Sequence, residues 1–198
     1  MRQKVGCIFG LTLLTAFSVA QSAEELRIET DRRTTYFQLF SGQSITILGS
    51  EDRRTAFGMG IASGKREPRF YFRNFKDANA ELVYEAYYDR SSSRGASGEG
   101  PNKSDSYGLL AYGRYRWPAR HGLGLYLTAG WGVQYTNRTS VDLDSHINST
   151  PMLGFGVSWS TPKGEASIGL RLLHISNAGT VGNNQGQNQL FLVSSWKF

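Results

Sequence analysis

Among its 198 residues the chain holds one cysteine, Cys7. A lone thiol excludes an internal disulfide framework and leaves no cysteine pair for a metal or redox site. Beyond residue 20 no stretch approaches the roughly 18 consecutive apolar residues that a helical membrane span requires. Histidine is scarce, at three residues: His121, His146 and His174. There is no G-x-S-x-G, no phosphate-binding loop and no cluster of metal ligands. Neither a metal nor any other cofactor is therefore expected.

The chain does carry a leader. Arg2 and Lys4 precede a run of apolar and small residues from Val5 to Val19, and Ser18-Val19-Ala20 and Ala20-Gln21-Ser22 offer small residues for cleavage. These are the parts of a secretory signal peptide. Residues 1–23 are assigned to it, which implies Sec-type export, and residues 24–198 to one mature domain. Cys7 falls inside the leader, so the mature domain is expected to have no cysteine nucleophile. The formal net charge is +6, and the leader takes Arg2 and Lys4 with it. An exported, mildly basic protein meets an anionic lipid surface rather than nucleic acid.

Mean hydropathy is −0.37, a value that a water-soluble protein would also give. The pattern decides otherwise. From Leu123 to Tyr135 the odd positions read Leu, Leu, Leu, Ala, Trp, Val, Tyr, and the even ones Gly, Tyr, Thr, Gly, Gly, Gln. Period two over that length marks a long strand with unlike faces. Globular strands run to about five or six residues, whereas membrane-spanning strands need about nine to eleven. The pattern returns in Pro151, Leu153, Phe155, Val157 and Trp159, in Ala166, Ile168, Leu170 and Leu172, and in Leu190, Leu192, Ser194, Trp196 and Phe198. Leu82, Tyr84, Ala86 and Tyr88 share one face, and Glu81, Glu85 and Asp89 the other. Arg114 and Arg116 lie opposite Tyr115 and Trp117. A closed lumen must pair its charges, so Glu81 and Glu85 are expected to meet Arg114, Arg116 and Arg171.

Six strands are read at about 80–90, 107–117, 123–136, 150–160, 165–176 and 188–198. Two more, at about 34–47 and 55–73, bring the count to eight. Long polar segments at 91–105, 137–149 and 177–187 alternate with short turns at 118–122 and 161–164. Such alternation belongs to outer-membrane barrels with extracellular loops and periplasmic turns. The terminal Trp196 and Phe198 resemble the recognition signal of such barrels. The expected fold is all-β, an eight-stranded antiparallel transmembrane β-barrel in the outer membrane, its lumen filled by side chains rather than open as a pore. A soluble β-sandwich would alternate as well, but it fits the strand lengths and aromatic-rich apolar faces less well.

One feature suggests chemistry. His174 and Ser176 are two apart on one strand and point the same way, with Cα atoms about 6.5 to 7 Å apart. A general base and its nucleophile need that proximity. Parity puts both on the apolar, lipid-facing side, roughly 30 Å along the strand from residue 165 at about 3.3 Å per residue, near the outer leaflet. A polar pair on a lipid face calls for a reason. Strand ends at an interface also carry His and Ser simply because water resumes there. His121 and His146, in a turn and a polar loop, read as solvated.

The stretch His174-Ile175-Ser176-Asn177-Ala178-Gly179 resembles the H-x-S-N-A-G motif of the lipid A 3-O-deacylase (PagL) family. The likeness continues through Asn183-Asn184-Gln185-Gly186-Gln187-Asn188. Upstream it includes residues 148–156 and the glycine-rich strand at 128–135. It covers 107–198 well and 24–106 in general character. The resemblance implies an outer-membrane esterase that removes the 3-O-linked acyl chain of lipid A, remodelling lipopolysaccharide. Ser176 would attack the ester carbonyl, and His174 would take its proton and return it to the leaving hydroxyl. Asn177 and Gly179 are the candidate oxyanion donors, though both residue types also form turns unaided.

The family places a glutamate ten to twelve residues beyond the serine to orient the histidine. Here those positions hold Gln187 and Asn188, and no Asp or Glu occurs from 166 to 198. An amide oxygen at Gln187 or Asn188 is one candidate for the orienting role, and Asp142 or Asp144 reaching in from the preceding long loop is another. Arg90, Arg94, Lys103 and Arg138 are candidates to hold lipid A phosphates. Lipopolysaccharide is the expected partner, with a homodimer as a further expectation. The competing class is a non-catalytic outer-membrane barrel serving adhesion or membrane structure.

Overall fold

A computed structural model of the chain describes residues 33–47, 50–66, 78–93, 102–117 and 122–198. The leader assigned to 1–23 lies outside the described residues. The strands are β1 (Arg33–Ser44), β2 (Arg54–Arg66), β3 (Asn79–Ser93), β4 (Asn102–Arg116), β5 (Gly124–Thr136), β6 (Ile147–Ser149), β7 (Met152–Thr161), β8 (Gly164–Ile175) and β9 (Gln187–Lys197). All pairings are antiparallel. β1 to β5 pair in sequence order, β5 pairs with both β6 and β7, β7 with β8, β8 with β9, and β9 with β1. The sheet thus closes on itself.

Segments β6 and β7 both pair with β5, so they form one stave and the barrel has eight. The break falls at Thr150-Pro151, where proline has no N–H to give. The stave stays tied there, because Thr150 N donates to Gly132 O at 2.9 Å and Pro151 O accepts from His174 N at 2.9 Å. Closure satisfies the backbone in a medium without water, which is what a bilayer demands.

The two faces separate as parity requires. Phe57, Met59, Ile61, Leu109, Leu125, Trp131, Leu153, Phe155 and Leu192 point outward and are exposed. A continuous apolar exterior on that scale excludes the soluble sandwich. The interior is polar and packed. Arg171 grips Glu85 through two bonds of 2.7 and 2.9 Å and also donates to Gln38 Oε1 at 2.7 Å. The Arg114 guanidinium lies between the rings of Tyr36 and Tyr126, at 5.0 and 4.6 Å from their centroids. Arg116 reaches both Glu81 and Glu165. The expected pairings of Glu81 and Glu85 with arginines are therefore present, with Glu165 as an added acid. Two interior recesses hold about 20 Å³ each, room for water only.

The strand reading holds with shifted ends. β1 stops at Ser44 rather than 47, and β2 is described to Arg66, with 67–77 outside the described residues. The polar segment 91–105 is strand at both ends, 91–93 and 102–105, with pairing out to Ser93↔Asn102; residues 94–101 lie outside the described residues. Alternate serines at these ends face the polar interior: Ser91 and Ser93 on β3, and Ser104 and Ser106 on β4, are buried.

Candidate active site

β8 rises to the long-loop end, where extracellular loops lie in outer-membrane barrels. His174 sits one residue before the strand ends and continues the outward face of Ile168 and Leu170. The register places it directly opposite Asn188 of β9. Antiparallel partners present their side chains on the same face. Asn188 Oδ1 accordingly lies 2.8 Å from His174 Nδ1. Asn188 also points outward, yet it is only 1% exposed. The chain after β1 covers it: Ile45 N donates to Asn188 O at 2.9 Å, and Asn188 Nδ2 donates to Ile47 O at 2.9 Å. A carbonyl can only accept, so the amide group facing Ile47 is Nδ2, and Oδ1 must face the imidazole. His174 Nδ1 is then the protonated nitrogen and Nε2 carries the free lone pair.

Ser176 is held by its backbone. It exchanges bonds with Ser149, at 3.0 Å from Ser176 N to Ser149 O and 2.7 Å from Ser149 N to Ser176 O. Its hydroxyl donates to Asn184 Oδ1 at 3.1 Å and accepts from Ala178 N at 3.1 Å. Asn184 Oδ1 also accepts from Asn177 N at 3.0 Å. The hydroxyl thus rests on Asn184 in this structure, while His174 rests on Asn188.

The loop after Ser176 is stitched internally. Asn177 is buried, and its Nδ2 donates to Val181 O at 2.6 Å and Asn183 O at 3.2 Å. Gly179 N donates to Asn177 Oδ1 at 2.8 Å. Ala178 has φ 55°, a left-handed conformation that costs a residue with a Cβ on the order of 1 kcal/mol or more. Gly186 has φ 74°, and a Cβ there would stand 2.7 Å from His174 Cε1. The imidazole therefore packs directly on a glycine backbone.

The other candidates divide. Gln187 points into the barrel, where its Nε2 donates to Asp52 Oδ2 at 2.8 Å, so of the two amides only Asn188 meets His174. The expectation that Asp142 or Asp144 reaches the histidine is corrected. Asp142 is fully buried and accepts from Ser50 Oγ, Glu51 N and Asp52 N at 2.9 to 3.1 Å. Asp144 accepts from Asn183 N at 2.7 Å. Among the suggested phosphate holders, Arg90 pairs with Asp105 at 3.1 Å, Arg138 donates to Asn102 at 3.2 Å, Lys103 is exposed, and Arg94 lies outside the described residues. Ile47 contributes through its backbone carbonyl and carried no signal in sequence; Asn184 stood only as one amide in the stretch that resembles the family, and Asp142, a candidate to orient His174, serves as a loop clamp instead.

A closed eight-stave barrel with an apolar exterior, a charged and packed lumen and a polar cluster at its outer rim defines an outer-membrane β-barrel. Solved structures agree on the fold. The crystal structure of the outer membrane enzyme PagL matches with a TM-score of 0.60 at 18% identity, covering 81% of this chain and 97% of that one. That of Neisserial surface protein A (NspA) matches with a TM-score of 0.51 at 20% identity, covering 84% of this chain and 97% of that one. No curated protein matches the chain in sequence. The sequence profile of the lipid A 3-O-deacylase (PagL) family matches residues 67–197, well over half of the chain, and the chain belongs to that family. It is an ester hydrolase of the outer membrane, with lipid A as its substrate.

Proposed function

We propose that the chain is a serine esterase in which Ser176 is the nucleophile, His174 the general base and Asn188 the group that orients the base. The observation that carries this is the His174–Asn188 bond at 2.8 Å, with its direction set by Ile47. It leaves Nε2 of His174 unprotonated two residues from a hydroxyl. In the reaction, Ser176 Oγ bonds to the carbonyl carbon of the 3-O-ester while His174 Nε2 takes the hydroxyl proton. The tetrahedral intermediate collapses, the ester C–O bond breaks, and the proton passes to the sugar's 3-oxygen. Water then attacks the acyl-serine with the same histidine as base, releasing the 3-hydroxy acid and restoring Ser176.

The carbonyl oxygen becomes an anion in each tetrahedral step. The N–H groups of Asn177 and Gly179 are the proposed donors. In the ligand-free site both are held by neutral amide oxygens, Asn184 Oδ1 and Asn177 Oδ1, which an oxyanion would displace. Ser176 exchanges Asn184 for His174 as acceptor when substrate enters. Catalytic hydrogen bonds are often incomplete before substrate binds. Export through a cleaved leader at 1–23 belongs to the same reading.

The Ser176–Asn184 bond is the single observation that favours the alternative, a barrel of adhesive or structural role with a passive dyad. The two are separated by a long-chain alkyl fluorophosphonate, which reacts with activated serines. Intact mass spectrometry should show one adduct, mapped to the peptide containing Ser176, and none in His174→Ala. A folded barrel that stays unlabelled would overturn the nucleophile assignment.

A further inference from the structure

An amide in place of a carboxylate creates a problem that the structure also solves. A carboxylate presents an acceptor oxygen whichever way it turns. An asparagine presents oxygen one way and N–H₂ the other, in nearly the same shape. With Nδ2 toward His174, Nδ1 would become the acceptor and the proton would move to Nε2. His174 would then have no lone pair facing Ser176 and could not act as base. Something must therefore choose the rotamer of Asn188.

That choice is made outside β8 and β9. Ile47 O accepts from Asn188 Nδ2 at 2.9 Å, so turning the amide over would set two acceptors against each other. Ile47 O is itself fixed, because it also accepts from Ser50 N at 3.2 Å. Ser50 is anchored in turn: its Oγ donates to Asp142 Oδ2 at 2.9 Å, alongside Asp52 N at 2.9 Å and Glu51 N at 3.0 Å. Asp142 has no exposure to solvent. Its own backbone carbonyl accepts from Gln185 N at 3.1 Å, in the loop that carries Asn184. One buried carboxylate thus ties together the connections that follow β1, β5 and β8.

Resting on the serine-esterase reading above, we propose that Asp142 is a positioning residue: through Ser50 and the Ile47 carbonyl it holds Asn188 oxygen-first and so fixes the tautomer of His174. Asp142 touches neither substrate nor the reacting atoms. Its effect is to make Ile47 and Ser50 do for an asparagine what a carboxylate would not need.

The test uses the mature barrel refolded in detergent micelles, with purified lipopolysaccharide as substrate. Asp142→Ala loosens the clamp. A second variant, Thr46→Gly with Ile47→Gly, loosens the segment with Asp142 in place, and serves if the first fails to fold. Each is expected to lower kcat at least tenfold with KM within twofold. Imidazole ¹⁵N spectra, with His174 assigned by its loss in His174→Gln, should change from one Nδ1–H tautomer to a mixture. In an Asn188→Asp background the same changes should cost less than twofold, because a carboxylate has no wrong way round. Equal losses in both backgrounds, or an unchanged His174 tautomer in the loosened variants, would overturn the proposal. The tautomer spectrum needs no turnover, so it decides the matter even if Ser176 proves not to be the nucleophile.

Discussion

Asn188 Oδ1 lies 2.8 Å from His174 Nδ1, across one antiparallel pair at the outer rim of the barrel. In the proposed mechanism this contact takes the part that the family resemblance gives to a glutamate. There Asn188 fixes the imidazole ring and its tautomer, but it brings no full negative charge to stabilise an imidazolium formed when Ser176 gives up its proton.

The shortfall can be measured. Asn188→Ala should lower kcat by about 10² with KM little changed, because it removes an orienting bond and no substrate contact. Asn188→Asp should raise kcat about tenfold. It loses the bond to Ile47 but gains a charge-assisted bond to the imidazolium, and each tenfold step in rate is about 1.4 kcal/mol. Release of 3-hydroxy acid from lipopolysaccharide, followed by chromatography, measures both.

Gly186 should tolerate no side chain. Its φ of 74° disfavours a Cβ, and the Cβ would meet His174 Cε1 at 2.7 Å. Gly186→Ala should cut kcat at least tenfold while the barrel still folds. The electrophoretic shift between heated and unheated samples reports the fold. Wild-type turnover would show that the imidazole has slack.

The lumen and the surface should respond differently to charge removal. Glu85 is buried and is bound by Arg171 and Tyr112, so Glu85→Ala strands the Arg171 charge. The expected cost is about 3–5 kcal/mol. The Arg90–Asp105 pair leaves Arg90 64% exposed, and Arg90→Ala should cost less than about 1 kcal/mol. Urea unfolding in micelles, read by tryptophan fluorescence, gives both values.

Much of this was legible in the sequence, for physical reasons. A lipid-facing exterior and a packed lumen impose strict alternation, so Leu123 to Tyr135 declared both strand and faces. The charges of Glu85 and Arg171 had to be paired, and parity put them in the same lumen. Parity also separates Asn188, which meets His174, from Gln187, which turns inward. The ends of β3 and β4 were harder to read. Ser91, Ser93, Ser104 and Ser106 look like loop residues, but they are strand residues facing a polar interior. The contact of Asn188 with Ile47 was invisible, because a backbone carbonyl leaves no trace in residue identity. Asp142 stands out in the sequence as an acid near the site, but its partners, the Ser50 hydroxyl and the N–H groups of Glu51 and Asp52, lie some ninety residues away and include backbone groups that sequence cannot place.

The most direct measurement is the mass spectrum of lipid A from cells expressing either the wild-type barrel or Ser176→Ala. The account predicts loss of one 3-hydroxyacyl chain with the wild type and unaltered lipid A with the variant, at equal amounts of folded barrel in the outer membrane. Deacylation that persists in Ser176→Ala, or its absence from wild-type cells, would contradict it.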